Sequence, residues 1–354
     1  MNNNSASAPP VPPISTDLNK IGLSKSAYQG SKSTLCTGCG HDSISANIMT
    51  ALHQQNIHPY NIMKLSGIGC SSKTPAYWLS KSFGFNSIHG RMAPVATGAK
   101  VVQHQLKVIG VSGDGDSASI GIGGMIHLLR RNLPMVYLVA NNGVYGLTKG
   151  QFSATVGQDM LQKSGRKNAF SALDICSIAI EAGCTFVARS FSGDAKQLTQ
   201  LLSAAFHHRG TAIIDIISPC ITFANHDGST MSYTSVKNHN KHFQELEFII
   251  ESTEKKVDYA EGTSQIVEFN DGTSLLLKKL DSEAHDVTDA SHANKILRVA
   301  REKGEILTGL FYVDEKELNL IETLNLTASP LSALTEKELR PTKEQLHSVL
   351  NEYR

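Results

Sequence analysis

The chain has 354 residues, 40% of them hydrophobic, which is typical of a globular protein with one large domain or two smaller ones. Its 33 lysine and arginine residues nearly balance 32 aspartate and glutamate residues, for a formal charge of +1. This balance gives no electrostatic reason to expect binding to nucleic acid or to an anionic membrane surface. No apolar run reaches the roughly 18 residues of a membrane-spanning helix.

Residues 1–16 are polar and proline-rich, and they lack the basic and apolar regions of a secretory signal peptide. We expect this segment to be disordered and the protein to be cytoplasmic. In a cytoplasmic chain of this size, the six cysteines are expected to be metal ligands or buried thiols rather than disulfides.

The first part of the chain carries cysteines in glycine-rich loops. Cys36 and Cys39 form a C-x-x-C pair that is followed by a helical pattern over residues 43–54. Residues 62–66 (IMKLS) predict a short strand, and the glycine-flanked turn after it contains Cys70.

Residues 84–100 are predicted to begin as a loop, which carries His89 and Arg91, and to continue into a helix of small residues.

The segment 107–151 has the pattern strand, loop, helix, strand, loop. Its first buried strand, around residues 108–111, ends in Gly113-Asp114-Gly115-Asp116, and its second, around 134–139, ends in Asn141-Asn142-Gly143. Both loops follow the carboxyl ends of their strands, which is where open parallel sheets bind ligands.

The residue types in these loops suit a diphosphate and a divalent metal. Glycines let the backbone N–H groups approach phosphate closely. Asp114, Asn142 and a carbonyl such as that of Val144 offer the oxygen ligands that Mg²⁺ prefers. The alternative is a generic turn in which aspartate and asparagine cap a helix.

The next segment continues the alternation of helices and strands. Helical patterns cover residues 173–182 and 193–208, and strands are predicted at 185–190 and 211–217. The last strand leads directly into Ser218-Pro219-Cys220, so this cysteine also follows a strand end.

The composition becomes more polar after residue 225, which we take as a domain boundary. The predicted arrangement is a disordered segment 1–16, a main domain 17–225 and a small α+β extension 226–354. The extension includes a hairpin around Asn270-Asp271-Gly272, an amphipathic helix at 291–303 and a strand at 309–313.

Four cysteines lie in loops of glycine, serine and proline: Cys36, Cys39, Cys70 and Cys220. Their number suits a [4Fe–4S] cluster, although structural zinc and unligated thiols remain open from the spacing alone. Cys176 and Cys184 fall in apolar patterns and are expected to fill the core.

Several motifs in order over residues 34–224 resemble the beta subunits of 2-oxoacid:ferredoxin oxidoreductases: CTGCGHD, SGIGCSSKTP, HGRMAPVATGAK, GDGDSASIG, IHLLRRN, NNGVYGLTKGQ and SPCITF. The resemblance implies an α/β fold of the thiamine-diphosphate-binding type, with a central, mostly parallel sheet and helices on both faces. One departure is that Asn141-Asn142-Gly143 stands where many relatives have Asp-Asn-Gln.

The resemblance also implies roles for individual residues. Cys36, Cys39, Cys70 and Cys220 would ligate a [4Fe–4S] cluster, and Asp114, Asn142 and the Val144 carbonyl would bind Mg²⁺. Lys73, His89 and Arg91 would act near the substrate. Contacts to thiamine diphosphate would come from Ile68, Gly69, Cys70, Ser71, Gly115, Asp116, Gly146, Leu147 and Thr148.

The implied activity is oxidative decarboxylation of a 2-oxoacid to an acyl-coenzyme A, with reduction of ferredoxin. The form of the motifs is most similar to the 2-oxoglutarate type, and pyruvate or a broad 2-oxoacid range is the alternative. A separate alpha subunit is expected to supply the pyrimidine-binding domain. Two alternatives of other classes are a non-redox thiamine-diphosphate lyase with a structural metal and a non-catalytic cluster scaffold.

Overall fold

The computed structural model describes residues 18–158, 166–220, 255–268 and 274–353. Its strands are, in chain order, β1 (Ile62–Ser66), β2 (Phe83–Asn86), β3 (Lys107–Gly113), β4 (Met135–Asn141), β5 (Val144–Tyr145), β6 (Gln151–Phe152), β7 (Phe186–Phe191), β8 (Thr211–Ile217), β9 (Ser264–Glu268), β10 (Ser274–Lys279) and β11 (Glu305–Val313). The predicted strands at 62–66 and 211–217 are confirmed.

The α-helices of the described residues are α1 (Gly40–Gln54), α2 (Met92–Val102), α3 (Ile122–Leu129), α4 (Ile175–Glu181), α5 (Ala195–His207), α6 (Ala290–Glu302), α7 (Leu320–Thr323), α8 (Glu336–Leu339) and α9 (Lys343–Glu352). A π-helical turn, Gly115–Ile120, lies between β3 and α3. None of the helices in the described ranges is long and apolar enough to cross a membrane.

One nine-stranded sheet forms the centre, in the order β2-β1-β3-β4-β8-β7-β11-β10-β9. The strands from β2 through β7 in this order pair in parallel. The pairs β7–β11 and β9–β10 are antiparallel, and β10–β11 is parallel. The predicted mostly parallel sheet is therefore confirmed.

Helices cover both faces of this sheet because successive strand side chains point to opposite sides. On one face, Met135 and Tyr137 of β4 join a buried cluster with residues of α2, α3, α4 and α6. On the other face, Val136 and Leu138 join a cluster with residues of α1 and α5. The two clusters hold the sheet rigidly between helical layers, so its edge can position a site.

Two predictions from the sequence are wrong in detail. Residues 83–86 form the edge strand β2 rather than a loop, with all four residues exposed. The predicted strand at 309–313 begins earlier, at Glu305, and pairs with β7 of the central sheet. The C-terminal part therefore extends the main sheet.

The predicted hairpin is present as β9 and β10, while its Asn270-Asp271-Gly272 turn lies outside the described residues. The segment 1–16, expected to be disordered, lies outside them as well.

Candidate active site

A cavity of about 90 Å³ opens at the carboxyl ends of β1, β3 and β4. All the residues expected to contact thiamine diphosphate line it, as do the expected metal ligands of the two loops and His89. The lining consists of Ile68, Gly69, Cys70, Ser71, His89, Gly113, Asp114, Gly115, Asp116, Ala140, Asn142, Val144, Tyr145, Gly146, Leu147 and Thr148. The fold thus brings together motifs that are far apart in the sequence.

Glycine is required where the loops of the cavity touch. A Cβ on Gly67 would lie 1.7 Å from a carboxylate oxygen of Asp116, and a Cβ on Gly115 would lie 2.5 Å from the Tyr145 ring. Distances this short are impossible between non-bonded atoms, so these positions admit no side chain. The backbones can therefore approach each other, and a ligand, closely.

Asp114 is 1% exposed and lies beside the asparagine loop. Its Oδ1 accepts a hydrogen bond from the Asn142 N–H at 3.2 Å, and its Oδ2 accepts from the hydroxyls of Ser153 and, at 2.7 Å, Thr155. Burial raises the pKa of the Asp114 carboxyl despite these donors. Within the described residues no ammonium or guanidinium pairs with it, so a bound cation would supply the missing counter-charge.

Ser153 and Thr155, which donate to Asp114, were not predicted from the sequence. They reach Asp114 because β5 and β6 form a short hairpin, which returns the chain to the loop it left. The Ser153 N–H donates to the Gly143 carbonyl at 3.0 Å and closes this return. The β-favouring residues Val144, Tyr145 and Phe152, on either side of a glycine-containing turn, are the sequence signal that could have indicated the hairpin.

A polar network extends from this loop across the neighbouring strands β4, β8 and β7. Thr155 Oγ1 lies 2.9 Å from Asn141 Oδ1, and the Asn141 amide donates to Asp215 at 3.0 Å. Arg189 is paired with Asp215 at 2.8 Å and with Asp174 at 3.0 Å. The asparagine at position 141 thus donates to a buried carboxylate, which an aspartate at that position could not do unless it were protonated.

The carboxylate of Asp116 is held by several donors of the chain. It accepts from the Gly90 N–H at 2.7 Å and from the Ser112 hydroxyl, and it pairs with Nδ1 of His89. The His89 side chain is 36% exposed. His89 is therefore the member of this pair that faces solvent at the cavity.

The cysteines predicted as cluster ligands lie in loops that meet at the start of α1. The N-terminus of α1 packs against the strand ends, since a Cβ on Gly40 would lie 2.4 Å from Ser192 Oγ. Next to it, His41 is buried, and its Nδ1 lies 2.9 Å from Ser218 Oγ, two residues before Cys220.

The thiols of these loops influence one another electrostatically. Burial raises the pKa of the Cys39 thiol to about 12, and the neighbouring Cys220 and Cys36 add to the rise. Burial also raises the pKa of Cys70, with Lys73 opposing and Cys36 reinforcing the shift. Among the described residues, no group of three or more metal-ligating side chains is assembled closely enough to hold an ion.

Two residues predicted to act near the substrate lie outside the cavity lining. Lys73 and Arg91 are both exposed, and Arg91 donates to the Gly90 carbonyl at 3.2 Å. Cys176 and Cys184 are fully buried among apolar side chains, which confirms the prediction that they fill the core.

Comparisons with known proteins agree on the nature of this region. Residues 67–216 match the sequence profile described as "Thiamine pyrophosphate enzyme, C-terminal TPP binding domain". The chain is 43% identical over 189 residues to 2-oxoacid:ferredoxin oxidoreductase 1, subunit beta, of Aeropyrum pernix. This alignment covers 53% of this chain and 59% of the relative.

Two further similarities extend this result. The chain is 34% identical to the 2-oxoglutarate synthase subunit KorB of Methanocaldococcus jannaschii over 53% of this chain and 69% of that one. A structure of the 2-oxoglutarate:ferredoxin oxidoreductase from Magnetococcus marinus, solved with 2-oxoglutarate, coenzyme A and succinyl-CoA bound, is 26% identical with a TM-score of 0.70, and the match covers 94% of this chain and 96% of that one. The matched region spans about 60% of the length of the first curated relatives.

Proposed function

Since the chain belongs to the family of 2-oxoacid:ferredoxin oxidoreductase beta subunits, we propose that it is the subunit that holds thiamine diphosphate in such an enzyme. The enzyme would convert a 2-oxoacid and coenzyme A into an acyl-coenzyme A and CO₂. The electron pair released would pass to ferredoxin, one electron at a time, and the thiol proton would pass to solvent.

The observation that carries this proposal is the position of Cys70. It lines the cavity with Asp114 and Asn142, and it also interacts electrostatically with Cys36, the first cysteine of the C-x-x-C pair. A redox group on these cysteines would therefore lie next to a cofactor in the cavity. A decarboxylase without a redox step has no need of this arrangement.

The cavity residues fit magnesium and a diphosphate. The buried Asp114 carboxylate lacks a cationic partner among the described residues, and the Asn142 amide and Val144 carbonyl stand beside it. The Ser72 hydroxyl, at the start of the turn after β1, is buried without a hydrogen-bond partner in the described part of the chain. Ile68, Gly69, Cys70, Ser71, Gly115, Gly146, Leu147 and Thr148 would surround the cofactor, which supplies the carbanion chemistry.

The four loop cysteines fit an iron–sulfur cluster in donor chemistry. Each would bind as a thiolate, a form that burial disfavours at Cys39 by raising the pKa of its thiol. Bound iron would reverse this preference, because a metal ion deprotonates a coordinating thiol. Cys36, Cys39, Cys70 and Cys220 would be the ligands of a [4Fe–4S] cluster.

The substrate we propose is 2-oxoglutarate, and the Magnetococcus marinus enzyme supports this choice because it binds 2-oxoglutarate and coenzyme A. Lys73 and Arg91, exposed next to the cavity loops, would meet the substrate carboxylates. His89, in the lining itself, would act on a proton of the bound molecule.

An alpha subunit would complete the active site with a pyrimidine-binding domain. This chain supplies the diphosphate-binding half, so we expect the isolated beta chain to be inactive.

The test is anaerobic co-expression with the alpha subunit, followed by a viologen reduction assay with coenzyme A and a panel of 2-oxoacids. We expect reduction with 2-oxoglutarate that stops when coenzyme A is omitted. A purified beta chain that decarboxylates a 2-oxoacid alone would contradict the proposal, and preference for pyruvate would overturn the choice of substrate.

A further inference from the structure

Of the two carboxylates that line the cavity, that of Asp116 pairs with a histidine. Oδ1 accepts from the backbone N–H of Gly90 at 2.7 Å and of Ile68 at 3.3 Å, and it pairs with His89 Nδ1. Oδ2 accepts from the Ser112 hydroxyl. With the side chain 2% exposed, these donors leave little of the carboxylate for a bound molecule.

A chain of buried hydroxyls, from Ser112, Ser117 and Tyr137, leads to Oδ2 of this carboxylate. Ser112 Oγ accepts from Ser117 Oγ at 2.9 Å, and Ser117 pairs with the Tyr137 hydroxyl at 2.9 Å. Burial raises the pKa of Tyr137, and the nearby Asp116 carboxylate adds to the rise, so the phenol keeps its proton. These hydroxyls form a continuous hydrogen-bonded chain that ends on Oδ2 of Asp116 and helps to fix the carboxylate in place.

Oδ1 already accepts from two backbone N–H groups, so it acts as an acceptor toward His89 as well, and the ring nitrogen that faces it carries a proton. In a neutral imidazole, a proton on Nδ1 leaves the lone pair on Nε2. Asp116 therefore determines which ring nitrogen is available at the cavity. Because the Gly90 and Ile68 N–H groups fix the carboxylate in place, the ring orientation is fixed as well.

We propose that Asp116 is a positioning residue that holds His89 as the Nδ1–H tautomer and presents a basic Nε2 to the molecule bound in the cavity. Asp116 then acts on the site through His89 rather than as a direct contact of the cofactor. The inference deepens the proposed function and rests on it for the identity of the bound molecule.

The tautomer can be measured without activity by ¹⁵N NMR of the full-length beta chain labelled at histidine. The signal of His89 is identified among the 14 histidines by its loss in His89→Gln. We expect a protonated Nδ1 and a bare Nε2 once the ring is neutral. A protonated Nε2 with a bare Nδ1 would overturn the proposal.

Two substitutions of Asp116 separate positioning from charge. In Asp116→Asn, the amide nitrogen cannot replace Oδ1, because two backbone N–H groups point there, so it must face Ser112. The carbonyl then keeps its bond to His89 and preserves the tautomer. Asp116→Ala removes that bond, and the ring can then adopt either tautomer.

In the assembled complex we expect Asp116→Ala to lower kcat about a hundredfold at unchanged KM, with Asp116→Asn restoring it to within about tenfold of wild type. Adding His89→Gln to Asp116→Ala should cause little further loss, because the two residues act as a unit. His127→Gln, on the exposed face of α3, is the matched control. If Asp116→Asn is as impaired as Asp116→Ala, or if the losses multiply, positioning is refuted.

The two proposals fail in different ways. If the NMR spectrum shows the Nδ1–H tautomer but no 2-oxoacid supports viologen reduction, the proposed function fails and the His89–Asp116 pair stands. If the complex is active and the tautomer is the other one, the pair is refuted and the function stands.

Discussion

Replacing Asp114 by asparagine should separate metal binding from folding. In the metal-free chain the substitution removes a buried charge that has no cationic partner among the described residues. An asparagine can keep the bond from the Asn142 N–H through its carbonyl, and the hydroxyls of Ser153 and Thr155 can rotate to accept from its amide. We therefore expect the metal-free variant to be at least as stable as the wild type.

Magnesium binding should respond in the opposite direction. The loss of a charged oxygen ligand should weaken Mg²⁺-dependent binding of thiamine diphosphate at least about a hundredfold, or about 3 kcal/mol. Isothermal titration calorimetry on the assembled complex measures this affinity, and thermal unfolding of the beta chain without metal measures stability. In the wild type, ligand at about a hundred times Kd should add about 3 kcal/mol to stability, and this gain should vanish in Asp114→Asn.

Asp258→Asn is the matched control, because this aspartate is exposed in the C-terminal part of the chain. It should change neither the affinity nor the stability. An Asp114→Asn variant that binds magnesium and thiamine diphosphate as tightly as the wild type would refute the metal-ligand role of this carboxylate.

Three further substitutions have defined outcomes. Thr155→Val should weaken Mg²⁺ affinity about tenfold, because it removes a donor that orients Asp114. The control Thr199→Val, on α5, should leave the affinity unchanged. If Thr155→Val binds Mg²⁺ as tightly as the wild type, Thr155 does not orient the carboxylate. Arg189→Met leaves the 1% exposed carboxylate of Asp215 without its cation and should lower the free energy of unfolding by about 3 to 5 kcal/mol in urea titrations. Adding Asp215→Leu should recover much of that loss, and no recovery would contradict the ion-pair argument. Burial lowers the pKa of Lys100 from 10.5 to about 8. The free energy of unfolding of the wild type should therefore rise by about 3 kcal/mol relative to Lys100→Met between pH 8 and pH 10.5, because the unfolded chain holds the proton that the folded chain has lost. A difference between the two proteins that does not change with pH would contradict the pKa shift.

The central strands could be predicted from the sequence because local runs of apolar residues indicate buried strands. The strands at 62–66 and 211–217 are mostly apolar segments, each with a single charged residue, as expected for strands covered on both faces. The role of Glu305–Val313 could not be predicted in this way. Its pairing with β7 joins residues more than a hundred positions apart, and no local pattern encodes such a partner.

The edge strand Phe83–Asn86 was missed for a different reason. It is exposed on every residue, so it lacks the burial pattern that identifies a strand. Its hydrogen bonds to the neighbouring strand come from parallel pairing with β1.

The geometry of the candidate site was predictable where polar residues follow strand ends in the sequence. Asp114 and Asn142 follow adjacent parallel strands, so their proximity is a consequence of sheet geometry. The contributions of Ser153 and Thr155 depend on a hairpin that returns the chain to Asp114, and that of Asp116 depends on loops from three parts of the chain. These contacts arise from tertiary structure, so the sequence indicated the residue types but not their partners.

The most direct test of the redox function is the spectrum of the anaerobic alpha–beta complex during a single turnover. With no external acceptor present, 2-oxoglutarate and coenzyme A are added and the visible absorbance of the iron–sulfur cluster is followed together with CO₂ release. Our account predicts that the cluster bleaches as CO₂ forms, and that Cys70→Ser, unlike Cys176→Ser, abolishes the bleaching. Release of CO₂ with an unchanged spectrum would contradict the claim that this chain carries electrons away from the cofactor.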